Sequence, residues 1–317
     1  MGSRSLKTEI AQESIGDLRI EVHKIFLSPS IAIALSHVQH KGTPRGRLPP
    51  LVLAHGVFVN RNIWLSAKGK GMAAWLARRG VDVWLLEVRD HGRAFVCGPR
   101  RSKAGFDDLV DLDVRVAIET VLEVTGAKKL FWIGHSHGGI LIYAFLGKYH
   151  EANPSIAGVV TLGTQTTEQN RTWRQRGRLI SIPVIVSLLG YFPSRRLHLG
   201  PEDEFGRVMT EWFWWNWMHK WTNNEFDYQL ALKNFSAPLL CLVGVRDDMA
   251  NPEGCERIFN GVGSADRTFH VLGRRYSNRA DYDHTSIIIG ADAEREIWPM
   301  ILHWIERRGI SKGEAEV

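Results

Sequence analysis

Leu130-Phe131-Trp132-Ile133-Gly134-His135-Ser136-His137-Gly138, running on into an apolar stretch at 140–148, is the segment that decides the fold. Four consecutive apolar residues predict a short strand buried on both faces, and 140–148 predicts a helix. Between them stands Gly-x-Ser-x-Gly. A serine on so sharp a strand-to-helix turn leaves no room for side chains two residues away, and Gly134 and Gly138 remove them. The helix that follows would aim its first amides at charge developing beside Ser136. A glycine-rich turn with an incidental serine is the bland alternative, and the strand–turn–helix context argues against it.

The same alternation extends on both sides. Short apolar strands are predicted at 51–54, 81–88, 156–162, 239–245 and 268–272, and helices near 71–79, 106–124 and 293–307. In the 106–124 helix, Leu109, Leu112, Val116, Ile118, Val121 and Leu122 recur at helical spacing. This pattern implies an α/β fold, a mostly parallel, doubly wound sheet with helices on both faces. Two earlier segments, 18–25 and 31–38, alternate apolar and polar residues around Ser28-Pro29-Ser30 and read as a β pair. Residues 164–238 break the series and hold six of the twelve tryptophans, Trp173, Trp212, Trp214, Trp215, Trp217 and Trp221. They read as an inserted helical cap on a core made of 1–163 and 239–317.

Composition narrows the function classes. With 317 residues, 44% hydrophobic and 23% charged, the chain can bury a full core. The formal charge of +6 raises the question of nucleic acid or an anionic surface. Arg171, Arg174, Arg176, Arg178, Arg195 and Arg196 are interleaved with Ile, Trp and Leu and lack a nucleic-acid motif, so they read as a solvated basic face with no nucleic-acid partner. Cys97, Cys241 and Cys255 show neither disulfide-framework nor metal spacing, Cys241 reading as core, and a cytoplasmic location is the expectation. The start of the chain lacks a signal-peptide core, and no apolar run reaches the ~18 residues of a span, so stable membrane insertion is not expected.

A nucleophilic serine needs a base, and the base an orienting carboxylate, in the chain order Ser, acid, His on this kind of sheet. Asp247 follows the 239–245 strand, and His284 lies between the last strand and the last helix. Asp248 is the competing acid. The oxyanion would need one amide from the residue after the nucleophile, His137, and one from the loop after the first parallel strand, His55-Gly56-Val57-Phe58, which assigns Val57. The side chains of His135 and His137 read as structural. Phe58, Trp212, Trp215 and Trp217 are candidates for an apolar substrate pocket, although any one tryptophan could equally serve the insert's own core.

Taken together, His55-Gly56, the Gly-His-Ser-His-Gly elbow, Gly244-x-x-Asp247 and the late His284 resemble the α/β-hydrolase superfamily over nearly the whole chain. Leu53-Ala54-His55-Gly56 through Ile63-Trp64, with Gly80-Val81-Asp82-Val83-Trp84-Leu85, resembles the acid-lipase branch. Gly190 to Pro193 and the Trp-rich Glu211 to Trp217 are similar to predicted bacterial hydrolases of unassigned substrate. Relatives that polymerise hydroxyacyl thioesters carry cysteine at the elbow, and Ser136 departs from them. His137 stands where acid lipases carry glutamine, so their lipid specificity is not implied. The resemblance implies hydrolysis of a small-molecule carboxylic ester through an acyl-enzyme on Ser136, with no metal and no cofactor. A thioesterase or acyltransferase, an amidase or peptidase, and a non-catalytic ligand-binding protein remain open, as do natural substrate and oligomeric state.

Overall fold

The computed structural model describes residues 6–97, 104–168, 172–223 and 225–309. The chain opens with an antiparallel meander, β1 (Thr8–Ile15), β2 (Leu18–Ser28) and β3 (Ile31–His40). The β pair expected at 18–25 and 31–38 is present, each strand slightly longer. β1 was not expected. Six of its eight residues are exposed, so no apolar stripe marks it, and it is held mainly by its ladder with β2.

The alternating part follows as β4 (Leu51–Ala54), α1 (Met72–Ala77), β5 (Val83–Glu87) and the two-residue β6 (Phe95–Val96). Next come α2 (Phe106–Asp108), a π-helical stretch (Leu109–Val114) and α3 (Arg115–Thr125), which together fill the predicted 106–124 helix. β7 (Leu130–His135), α4 (His137–Lys148) and β8 (Ile156–Leu162) complete the first half. The insert carries α5 (Trp173–Leu189), β9 (Tyr191–Phe192), β10 (Glu204–Phe205), α6 (Gly206–Met218) and α7 (Tyr228–Ala231). The sheet resumes with β11 (Leu239–Gly244), α8 (Pro252–Gly261), β12 (Arg267–Leu272) and the closing α9 (Trp298–Gly309).

The main sheet runs β1-β2-β3-β5-β4-β7-β8-β11-β12, antiparallel as far as the β3–β5 pair and parallel beyond it. Strand side chains alternate between two cores, as the period of two requires. Val52, Trp84, Leu130 and Trp132 face α3 and α4. Leu51, Leu53, Leu85, Phe131 and Ile133 face α1 and α9. From β4 the chain steps to β5 on one side and later to β7 on the other, so the order reverses at β4. Crevices at such a reversal, beyond the carboxyl ends of the strands, are where open α/β sheets bind ligands. Here that crevice lies between the loop after β4 and the turn after β7, the two segments carrying Val57 and Ser136.

The insert is not one unit. Leu179, Ile182, Phe192, Met209 and Phe213 form a small core of their own with Phe58 against it. Trp215, Trp221, Tyr228, Leu232 and Phe235 instead belong to the main core under α4. Among the described residues no helix is long and apolar enough to cross a membrane.

Candidate active site

Ser136 stands between β7 and α4 with φ 50° and ψ −116°. That backbone is unfavourable for a residue with a side chain, costing on the order of 1–3 kcal/mol, and it persists only when the surroundings fix it. They do so through hydrogen bonds on both sides. The Ser136 amide donates to the Leu162 carbonyl at 2.9 Å, and the Ser136 carbonyl accepts from the amides of Gly139 and Ile140. The two flanking glycines are required, because a Cβ on Gly134 would strike the Gly138 carbonyl and one on Gly138 the Ala54 carbonyl.

The expected acid and base come from the loops after neighbouring strands. Asp247 follows β11 and His284 follows β12, and the two loops are joined by the Arg246 amide donating to the Tyr282 carbonyl at 2.9 Å. His284 Nδ1 lies 2.8 Å from Asp247 Oδ2. A carboxylate only accepts, so the proton sits on Nδ1 and leaves the Nε2 lone pair available as a base. The other carboxylate oxygen, Oδ1, accepts from the amides of Met249 (2.9 Å) and Ala250 (2.6 Å), which fixes the acid independently of the histidine. The Asp247 side chain is fully buried and that of His284 keeps 16% exposure. Of Asp247 and Asp248, it is Asp247 that hydrogen-bonds His284, while the backbone carbonyl of Asp248 accepts from Gln175 Nε2 at 3.4 Å. Gly163, at the end of β8 with φ 54°, lies beneath the pair. A Cβ there would come 2.7 Å from Asp247 Oδ2 and 3.1 Å from His284 Nδ1.

His135, expected to be merely structural, touches the base. Its Nε2 is 2.9 Å from the His284 carbonyl and its ring centroid 4.5 Å from that of His284. Burial, and then the neighbouring His284, hold its pKa well below the usual range, so it stays neutral and donates from Nε2. It fixes the backbone of the base, and its place next to the serine was the only sequence signal for this.

Behind the loop after β4 lies a sealed cluster that the sequence did not announce. His91 Nε2 is 3.3 Å from Glu204 Oε2, and each side chain is 2% exposed. Burial alone would lower the pKa of His91, but Glu204 beside it outweighs this and raises it to about 9. Burial would likewise raise Glu204, and the charge on His91 brings it below the ordinary value. His55 and His137, pressed into the same region, are lowered to about 3 and about 4, chiefly by burial, and are neutral. Glu204 belongs to the insert and His91 to the core, so the ion pair bolts one to the other. Nearby, the Glu202 amide donates to the Phe58 carbonyl at 3.0 Å, while its carboxylate accepts from the Gly92 amide at 3.1 Å.

Ser136 opens on a cavity of about 640 Å³. Val57, Phe58, His137, Trp212 and Trp215 line it with Ser136. Trp217 does not. It is 38% exposed and stacks on Phe213 outside the cavity, a correction that follows from the helical period, which turns 217 away from the face bearing 212 and 215. Trp173 and Trp214 are also exposed and Trp221 is buried in the main core, so the tryptophans do not form one pocket. Arg174, Arg176, Arg178, Arg195 and Arg196 are exposed, as a solvated basic face requires, and Arg171 lies outside the described residues; Arg178 also lines the cavity together with Gln165 and Gln175.

Comparison with known proteins accords with this geometry. The sequence pattern of the family described as serine aminopeptidase, S33, matches residues 51–276, well over half of the chain. Lipase member K of Mus musculus is 28% identical over 152 residues, covering 45% of this chain and 37% of that protein. Gastric triacylglycerol lipase of Bos taurus is 28% identical over 128 residues, covering 37% and 32%. The aligned parts thus span about a third of the length of these curated relatives. Among solved structures, a soluble variant of monoglyceride lipase from Saccharomyces cerevisiae superposes with a TM-score of 0.63 at 17% identity, covering 98% of this chain and 99% of that one. A thermophilic esterase from Thermogutta terrifontis gives 0.60 at 17%, covering 95% and 100%. The chain therefore belongs to the serine aminopeptidase S33 family and has the α/β-hydrolase fold.

Proposed function

We propose that the chain is a serine hydrolase that cleaves carboxylic esters with an apolar acyl or alcohol group. The observation that carries this reading is Ser136, held in a strained elbow at the wall of an apolar cavity, with the His284–Asp247 pair in the loops after adjoining strands. Ser136 Oγ attacks the ester carbonyl while His284 Nε2 takes its proton. Asp247 holds the imidazole in the required tautomer and stabilises the imidazolium. The tetrahedral oxyanion lies against the amides of Val57 and His137, which need no reorganisation as charge develops. His284 then protonates the departing alcohol, water attacks the acyl-enzyme with His284 again as base, and Ser136 is released. In this reading residues 164–238 act as the cap, with Trp212 and Trp215 on its apolar inner wall and Phe58, from the loop after β4, packed against it.

The family description names a peptidase, and the cavity speaks against an aminopeptidase here. Such an enzyme must neutralise the substrate's terminal ammonium, yet among the lining residues there is no carboxylate and the one permanent charge is Arg178. Labelling with a fluorophosphonate probe, lost in Ser136→Ala, tests the nucleophile. Ester turnover should fall on the order of 10⁴-fold or more in that variant with folding intact. Near-normal turnover by Ser136→Ala would overturn the assignment. Aminoacyl anilides and acyl thioesters beside oxygen esters, with and without an alcohol acceptor, separate hydrolase from peptidase, thioesterase and acyltransferase.

A further inference from the structure

The cavity wall is mostly apolar, and the one permanent charge among its lining residues is Arg178. Arg178 lines the cavity on α5, and its guanidinium has no acidic partner among the described residues; its backbone carbonyl accepts from Ser181 Oγ at 2.7 Å. This part of α5 is tied to the triad acid's loop. One helical turn before Arg178, Gln175 Nε2 donates to the Asp248 carbonyl at 3.4 Å. Gln165 Nε2 donates to the Met249 carbonyl at 3.1 Å, and Met249 and Ala250 line the cavity beside them. The lining around His137, formed by Ile140, Val208, Trp212 and Trp215, carries no charge.

We propose that Arg178 binds an anionic group on the alcohol portion of the ester, so that the substrates are apolar acyl esters of an alcohol bearing a phosphate or carboxylate. The inference rests on the hydrolase reading above and deepens it. In acyl transfer the base returns its proton to the leaving alcohol, so the alcohol departs on the side of Asp247 and His284. Gln175, one turn before Arg178 on α5, is bonded to the loop of Asp247, which puts this part of α5 on that side and leaves the uncharged lining around His137 for the acyl chain. A guanidinium fork matches phosphate and carboxylate oxygens alike. Because Arg178 is exposed, water and salt weaken the contact, and a gain of about tenfold is expected rather than the larger effect of a buried pair.

The test compares kcat/KM of the full chain for three lauroyl esters below their aggregation concentrations: 1-lauroylglycerol 3-phosphate, O-lauroyl lactate and 1-lauroylglycerol. Either anionic ester should exceed the neutral one by about tenfold, mainly through KM, and the advantage should shrink as NaCl is raised from 0.02 to 0.5 M. Arg178→Gln should bring the anionic-to-neutral ratio to about one, and Arg178→Lys should keep part of it. A preference for the phosphate ester alone assigns the anion as phosphate, and equal preference makes either acceptable. Monoethyl dodecanedioate, anionic at the far end of its acyl chain, should gain nothing over ethyl laurate. A ratio near one in the unaltered chain, an unchanged ratio in Arg178→Gln, or a preference for the acyl-side anion overturns the proposal while ester hydrolysis stands. Absence of both ester turnover and fluorophosphonate labelling overturns the hydrolase reading and this inference with it.

Discussion

Two of the histidine–carboxylate pairs among the described residues lie at or beside the candidate site, and they differ in whether the proton between them can move. His284 and Asp247 lie 2.8 Å apart, with 16% of the histidine side chain still exposed. His91 and Glu204 lie 3.3 Å apart, both sealed at 2%. The first pair comes from two loops of one rigid sheet edge, and its acid is held by two further amides whatever the histidine's charge. The second joins the core to the insert, and its carboxylate depends on His91 for compensation in a site without water access. The same two residue types therefore serve different ends. An open edge suits proton transfer with a substrate. A sealed pair keeps its charges fixed and acts as a fastening.

The comparison breaks most sharply at Asp247. Asparagine there would favour the wrong imidazole tautomer and should lower kcat by about 10⁴-fold, as in the serine-protease precedent, with little change in melting temperature. Asp248→Asn should stay close to the parent. Comparable losses in both variants would mean that the open pair is not distinguished by its hydrogen bond.

Glu204→Gln should do the reverse, damaging stability first. Removing one member of a buried ion pair typically costs about 3–5 kcal/mol because the remaining charge is stranded. The pH dependence gives a signature. The pKa of His91 rises from about 6.5 unfolded to about 9 folded, so its contribution is complete below about pH 6.5 and is lost as pH climbs through 9. Glu204 is lowered, so its contribution is complete above about pH 4.5 and fades as pH falls through its folded value. The neutral His55 and His137 have folded values near 3 and 4, so each loses its contribution as pH drops below about 6.5. Thermal unfolding between pH 6 and 9.5 should show a decline in the parent that flattens in Glu204→Gln. An equally steep decline in the variant would show that the sealed pair is not its source.

The open pair was legible in the sequence and the sealed one was not, for a physical reason. Ser136 and Asp247 each follow directly on an apolar strand and His284 lies in the loop after the last one, where the parallel fold constrains position, and the elbow's glycines mark a steric demand that few other turns share. His91 and Glu204 are 113 residues apart in sequence and meet only because the insert folds back onto the loop after β5. No local periodicity records such a meeting. β1 escaped for a similar reason, since its polar exposed residues carry no face to read. Arg178 was read with its basic neighbours as solvated. What separates it from Arg176 is helical phase, and from Arg174, on the same face, its place one turn further along α5, both fixed only when α5 packs on α6.

The smallest expected effect probes that same phase on α6. Trp212 and Trp215 line the cavity, whereas Trp217 stacks on Phe213 outside it, with ring centroids 5.7 Å apart. Trp215 also donates from Nε1 to the Thr222 carbonyl at 3.0 Å and packs edge-on against Phe106, so its truncation would confuse stability with binding, and Trp215→Phe is the cleaner change. An apolar wall discriminates acyl chains by roughly 1 kcal/mol per methylene in contact. Trp212→Ala and Trp215→Phe should therefore lower kcat/KM for an octanoate ester more than for acetate, by severalfold and in graded fashion through butyrate. Trp217→Ala should keep the parental chain-length profile within about twofold, since a packed but remote ring contributes complementarity rather than binding free energy. If Trp217→Ala shifts the profile as much as Trp212→Ala does, the insert closes further over the acyl chain than this arrangement of α6 allows, and its mobility has to enter the account of specificity.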